Sequence, residues 1–238
     1  DIDSMAIAGN TTMIHLLLEI DPRYIRREPY LPTATTFPTL RSADIGLNYC
    51  PDACIHIVPG NTAYVGGDIV AGILASGIQQ DSRTTLFIDV GTNGEIVLGN
   101  SDWLMAASCS AGPAFEGGGI RCGMRAEEGA IEHVDIEPHT LKPIYEVGGG
   151  DVPPRGICGS GMIDLLAAML NAGIIDRRGR FRERGANDYV RQNEAGPQYV
   201  LARAEESAGG EDIVFTQADV DTLMRSKAAI YAGFATLL

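Results

Sequence analysis

"FIDVGTNGEIVLGN", residues 87–100, reads as a short apolar strand, a glycine-rich turn and a second apolar strand. Asn93-Gly94 is the pair expected at a tight reversal, because both residues tolerate positive φ. An ordinary hairpin does not need Asp89 where the first strand turns back. Gly91 and Gly94 let a ligand approach the backbone, and successive N–H groups in such a turn can form an anion nest. A bare carboxylate against a phosphate is unfavourable. At roughly 4 Å and an effective dielectric of about 20, two like charges cost on the order of 4 kcal/mol. Mg2+ and its waters between them remove the conflict, since this ion keeps water and needs few carboxylates. The competing reading is a plain Asn-Gly hairpin whose strand-end Asp89 caps neighbouring backbone.

Working outward, "SMAIAGN" (4–10) has the pattern of a buried strand, and Asn10 or Thr11 caps the helix "TTMIHLLLEI" that follows. Residues 22–54, rich in Pro and Thr, form an irregular excursion. "CIHIV" (54–58) is a second strand, and Asp68 caps a helix over 69–78. Strand–helix–strand–helix predicts a parallel sheet in an α/β domain. Downstream, "DWLMAAS" (102–108) adds a third antiparallel strand to the hairpin. A Gly-rich stretch covers 111–129, and "AIEHVDIE" (130–137) alternates like an edge strand. "ICGSGMIDLLAAMLNAG" (157–173) is a Gly-rich turn into an amphipathic helix capped by Ser160. Residues 176–211 read as polar loop. Thr216 and Asp219 then form a T-x-x-D capping box before a long helix to the last residue.

The 238 residues carry a net charge of −13, which argues against non-specific nucleic-acid binding and against anionic membrane surfaces. The basic run "DRRGRFRER" (176–184) is a solvated loop or a docking patch for an acidic partner. Five cysteines without dense spacing suit a reduced, cytoplasmic protein. "CPDAC" (50–54) has no matching second pair for a metal site. His15 lies in an apolar helix and is expected in the core or at its rim. No apolar stretch is long enough to span a bilayer. The chain opens on Asp in a strand pattern and stops inside a helix pattern, so the expectation is a piece of a longer polypeptide.

Familiar nucleotide motifs are missing. A P-loop needs Gly-Lys, yet Lys142 and Lys227 follow Leu141 and Ser226. "GSGMID" has Asp164 where a Rossmann fingerprint has its third glycine. The context points elsewhere. "SMAIAGNTTMIHLLL", "IHIVPGNTAYVGGDIVAGILASG" and "TLFIDVGTNGEIVL" together resemble the middle of the actin-like (ASKHA) ATPase superfamily. Its members hold ATP between two ribonuclease-H-like subdomains. The resemblance makes residues 1–82 the end of the first subdomain. It makes 83–238 most of the second, without its final adenosine-binding strand. "IDVGTNGEIVLGN", "SCSAGPAFEGGGIRCGMRAEEGAIE" and "PPRGICGSGMIDLL" resemble, more specifically, the ATPase region of reductive activators of corrinoid proteins.

That resemblance implies ATP and Mg2+ as cofactors, and a two-iron two-sulfur cluster in an N-terminal ferredoxin domain outside this chain. It implies electron transfer to the Co(II) corrinoid of a methyltransferase partner, and leaves a homodimer open. Asp89 would hold Mg2+ through water. Gly91, Thr92, Asn93 and Gly94 would cradle phosphate, and Glu95 would orient water or the metal shell. Gly159, Ser160 and Gly161 sit at a helix N-terminus that favours an anion, or form a close-packed helix start. Lys227 would reach ribose or base, or lie on a solvated face. Ser108 or Ser110 would face the partner and approach cobalt as a weak ligand; a buried turn is the plainer reading. A piece carrying half of an ATP site is expected to bind ATP weakly and not to turn it over. A small-molecule kinase of the same fold and a non-catalytic scaffold are the alternatives. No acceptor-side general base for the kinase is identifiable.

Overall fold

The computed structural model describes residues 2–48, 50–183 and 187–238. The chain divides into two compact units. The first runs to Asp89 and includes Gly94–Cys109 and Gly233–Leu238; the second comprises Val90–Asn93 and Ser110–Ala232.

In the first unit, β1 (Ser4–Ile7) leads to α1 (Thr11–Leu17), whose N-cap Asn10 accepts the Met13 N–H on its side chain. The excursion 22–54 contains two single 3-10 turns and the short strand β2 (Leu40–Arg41). β3 (Cys54–Ile57) pairs parallel with β1 and antiparallel with β2, giving the order β1-β3-β2. His15 is fully buried; its Nδ1 lies 2.7 Å from the Thr11 carbonyl oxygen. Helix α2 spans Gly67–Ser76, so it starts earlier than the sequence suggests. Its N-cap is Gly66, without a side-chain cap, and Asp68 falls in the first turn, accepting the Ile69 N–H at 2.9 Å. The early start is possible because position 67 is glycine: a Cβ there would stand 2.3 Å from the Val58 carbonyl oxygen.

A meander follows: β4 (Thr85–Val90), β5 (Gly94–Gly99) and β6 (Leu104–Cys109), in the order β4-β5-β6. β5 is the buried centre, and Val97 packs with Val65 and Ile69 beneath α2. Phe87 of β4 closes on α2 where Gly72 leaves room for its ring. Trp103 sits in the β5–β6 turn, where its carbonyl accepts the Asn100 N–H at 2.8 Å.

The second unit holds the larger core. β7 (Ala130–Ile136) lies between β8 (Pro143–Val147) and β9 (Gly156–Ile157), so it is a central strand and not an edge. Its alternation reflects one face packed on α3 (Gly159–Asn171), through Ile131, Met162, Leu165 and Met169. The polar region 176–211 contains β10 (Val190–Asn193) and β11 (Gly196–Ala202), which the sequence reading missed. β11 is the centre of the sheet β10-β11-β12, where β12 spans Ile213–Thr216. Tyr199, Val200, Leu201 and Ala202 are at most 1% exposed, and Tyr199 donates its buried hydroxyl to the Leu141 carbonyl. Arg184 of the basic run lies outside the described residues. Helix α4 (Gln217–Leu237) begins with the expected box: Asp219 accepts from the Thr216 N–H at 2.8 Å, and the Asp219 N–H donates to the Thr216 hydroxyl. Among the described residues no helix is long and apolar enough to cross a membrane.

Candidate nucleotide site

The turn between β4 and β5 does not form the expected two-residue reversal. No residue of Gly91–Gly94 has positive φ. Gly94 already belongs to β5 and pairs with Cys109, so Gly91–Asn93 makes a three-residue loop. The Gly91 N–H donates to the Asn93 carbonyl at 2.9 Å. A nest that alternates right- and left-handed residues is therefore absent. No backbone acceptor for the N–H groups of Thr92 and Asn93 occurs in the loop among the described residues.

In the first unit the structure brings three acidic side chains into one electrostatic neighbourhood. Glu95 is half-buried on β5. Burial pushes its carboxyl above the usual range, and the charges of Asp89 and Asp68 push the same way. A hydrogen bond from the Ser108 hydroxyl to Glu95 Oε1, at 3.1 Å, opposes them. Ser108 faces Glu95 because the two are directly paired across β5 and β6. Two residues assigned different tasks from sequence thus share one bond. From sequence, Asp68 stands out only as a helix cap. No spacing rule links it to Asp89 or Glu95.

This setting fits Mg2+. No group of three His, Cys, Asp or Glu side chains among the described residues could hold an ion directly. A cation here would be held through its waters, as Mg2+ favours, and its charge would relieve the crowding on Glu95.

In the second unit, Thr92 is fixed at both ends. Its carbonyl accepts the Gly112 N–H at 2.9 Å, and its hydroxyl donates to Glu116 Oε1 at 2.5 Å. Glu116 closes the single 3-10 turn Pro113–Glu116. It lines a cleft of about 610 Å³ with Val90, Phe115, Arg125, Gly159 and Ser160 among its walls. Arg125 supplies a positive charge to that cleft. Glu116 and Arg125 both lie in the Gly-rich stretch 111–129. That stretch carried the family resemblance, yet neither residue drew a role because neither sits at a recognisable spacing from Thr92.

The start of α3 also lines this cleft. Ser160 does not cap the helix: the N-cap is Cys158, without a side-chain bond, and the Ser160 hydroxyl donates to the Glu132 carbonyl at 2.9 Å. A Cβ at Gly159 would stand 2.4 Å from the Phe115 carbonyl oxygen, and one at Gly161 2.3 Å from that of Ile131. Close packing accounts for both glycines. Their N–H groups still belong to the first turn, which has no intrahelical acceptors. Lys227 is exposed on α4, next to buried Ser226, whose hydroxyl donates to the Ala111 carbonyl at 2.6 Å. Ser110 is exposed on the segment leaving β6.

Residues 83–238 match the family described as the C-terminal domain of RACo, the ASKHA domain, and residues 1–81 match the RACo middle region. This chain belongs to the RACo family. The corrinoid activation enzyme RamQ of Eubacterium limosum is 37% identical over 244 residues, covering 100% of this chain and 40% of the relative. A [Co(II) methylated amine-specific corrinoid protein] reductase of Methanosarcina barkeri is 29% identical over 169 residues, covering 60% of this chain and 30% of that protein. A solved reductive activator for corrinoid, iron-sulfur protein superposes with a TM-score of 0.85 at 52% identity, over 99% of this chain and 37% of the other. The fold is therefore the ASKHA fold, and this RACo chain spans at most two fifths of the length of the curated relatives it matches.

Proposed function

We propose that this chain is the nucleotide-binding part of an ATP-dependent reductive activator of a corrinoid protein. One observation carries the reading: the RACo middle and ASKHA regions follow each other along the whole chain, in a protein 52% identical to a solved reductive activator. The geometry supports nucleotide binding. Asp89 would hold Mg2+ through water, with Glu95 ordering the same water shell. The N–H groups of Thr92 and Asn93 would meet phosphate, and Gly91 and Gly94 would leave the backbone open to it. Arg125 and the first-turn N–H groups of Gly159, Ser160 and Gly161 would receive further negative charge, and exposed Lys227 would reach the nucleoside. When bound, Mg-ATP would supply the free energy of its hydrolysis.

The transfer is a one-electron step. The electron donor would be a two-iron two-sulfur cluster carried outside this chain, and the acceptor would be the Co(II) corrinoid of a methyltransferase system, which one electron converts to Co(I). Ser108 is proposed to serve Glu95 first, which leaves Ser110 as the more available hydroxyl toward the partner. A cytoplasmic setting is part of this proposal; five cysteines without dense spacing are in keeping with it.

The test uses the complete natural polypeptide. It is mixed with a Co(II) corrinoid protein and an electron donor, and Co(I) absorbance is followed with and without Mg-ATP. Formation of Co(I) that requires ATP and is abolished by Asp89→Ala supports the reading. ATP binding without Co(I) under any condition overturns it in favour of another ATP-driven switch.

A further inference from the structure

We infer that Glu116 fixes the hydroxyl proton of Thr92, making Thr92 an acceptor toward the water shell of a nucleotide-bound divalent cation and not a donor to phosphate. This rests on the nucleotide reading above and adds a positioning residue to it.

A threonine hydroxyl has one proton and two lone pairs. In this structure the proton is committed: Thr92 Oγ1 donates to Glu116 Oε1 at 2.5 Å, the range of a hydroxyl–carboxylate bond. What Thr92 Oγ1 still offers a ligand is lone pairs. Phosphate oxygens are acceptors and gain nothing from them. A metal-bound water is a donor and does. The side chain is therefore suited to the metal shell, while the backbone N–H groups of Thr92 and Asn93 are suited to phosphate.

The backbone of both residues is tied down. The Thr92 carbonyl is tied to the Gly112 N–H at 2.9 Å. Glu116 ends a 3-10 turn anchored by Ala114, which is 1% exposed. Gly117 follows at φ 88°, where a Cβ would stand 2.6 Å from Met124 N. The Gly118 N–H closes the turn on the Pro113 carbonyl at 2.8 Å. This packed glycine turn sets the backbone that carries Glu116; its exposed side chain reaches Thr92 from there and takes up the hydroxyl proton in the structure. Removing it frees the proton to rotate toward phosphate.

The test is calorimetric titration of the complete natural polypeptide with ATP, over a range of Mg2+ concentrations and in EDTA. Glu116→Ala should raise the Mg2+ concentration for half-maximal ATP binding about fivefold to tenfold, the scale of one ordinary hydrogen bond. ATP affinity in EDTA should be unchanged or tighter. Thr92→Val should raise the Mg2+ requirement equally, and the double variant should add nothing. Glu116→Gln keeps an accepting oxygen and should stay within about twofold of the natural protein. An unchanged Mg2+ requirement in Glu116→Ala overturns the inference. So do additive effects of the two variants, or an equal loss in EDTA. A natural protein that binds no ATP with or without Mg2+ overturns the nucleotide reading itself. Normal ATP binding with insensitive variants removes only Glu116 and Thr92 from it.

Discussion

Two glycine-rich corners of this molecule look alike in sequence and differ in kind. At the start of α3, Gly159 and Gly161 are demanded by the protein, because a Cβ at either would stand less than 2.5 Å from a backbone carbonyl oxygen. At the β4–β5 loop, Gly91 is not. A Cβ there would meet only the Asn93 carbonyl oxygen, at an ordinary 3.6 Å, and its φ is not in the left-handed region. A glycine that neither packing nor φ requires leaves its backbone open, as the proposed phosphate loop needs. The comparison separates glycine that packing demands from glycine that packing does not, which a motif such as D-x-G or G-S-G does not do.

The largest expected effect tests the packing half. Gly161→Ala should destabilise the second unit by about 3 kcal/mol or more, since its neighbour is backbone and cannot yield. Gly91→Ala should change stability by no more than about 0.5 kcal/mol while weakening ATP binding. Urea unfolding followed by circular dichroism measures both, and a stable Gly161→Ala beside an unstable Gly91→Ala would break the comparison. Next is the ligand half. Asp89→Asn in the complete protein should weaken Mg-ATP binding by about tenfold to a hundredfold, with its melting temperature preserved; calorimetry decides. A smaller effect sharpens the α3 side. Ser160→Ala loses the bond to the Glu132 carbonyl and should cost about 1 kcal/mol, and unchanged ATP affinity would confine that hydroxyl to structure.

The smallest effect concerns Glu95, whose carboxyl is raised by burial and by Asp89 and Asp68. The folded protein therefore holds this proton more tightly than the unfolded chain. The stability it contributes is full below its ordinary value of 4.5 and is lost as pH rises through the raised folded value. Glu95→Gln should raise stability at neutral pH by less than about 1 kcal/mol, and the gain should vanish in acid. Melting curves across pH read it out.

The sequence was most informative where a local rule operates alone. Asn10 and the Thr216–Asp219 box cap their helices as read, and the parallel pairing of β1 with β3 follows from strand–helix–strand order. It was least informative where tertiary packing overrides composition. β11 hides in a polar stretch because its buried run, Tyr199–Ala202, is flanked by charged residues that pair locally, as Arg191 does with Asp212. Strand β7 alternates because α3 covers one face, and alternation does not reveal how many neighbours a strand has. For the candidate site, Asp89 and Glu95 could be singled out because they flank a glycine turn. Glu116 could not: it reaches Thr92 across 24 residues, through a turn whose shape is set by Gly117 and its close neighbours.

Trp103 is the chain's single tryptophan and stands at the β5–β6 turn, at the opposite end of the paired strands from Glu95 and Ser108. Five residue steps from Ser108 put it about 17 Å from that pair. Its intrinsic fluorescence is thus an optical probe of the first unit alone. An unfolding curve recorded at tryptophan wavelengths describes the meander and says nothing of the second unit's larger core. Any difference between that curve and the far-ultraviolet circular dichroism of the whole chain measures how cooperatively the two units melt.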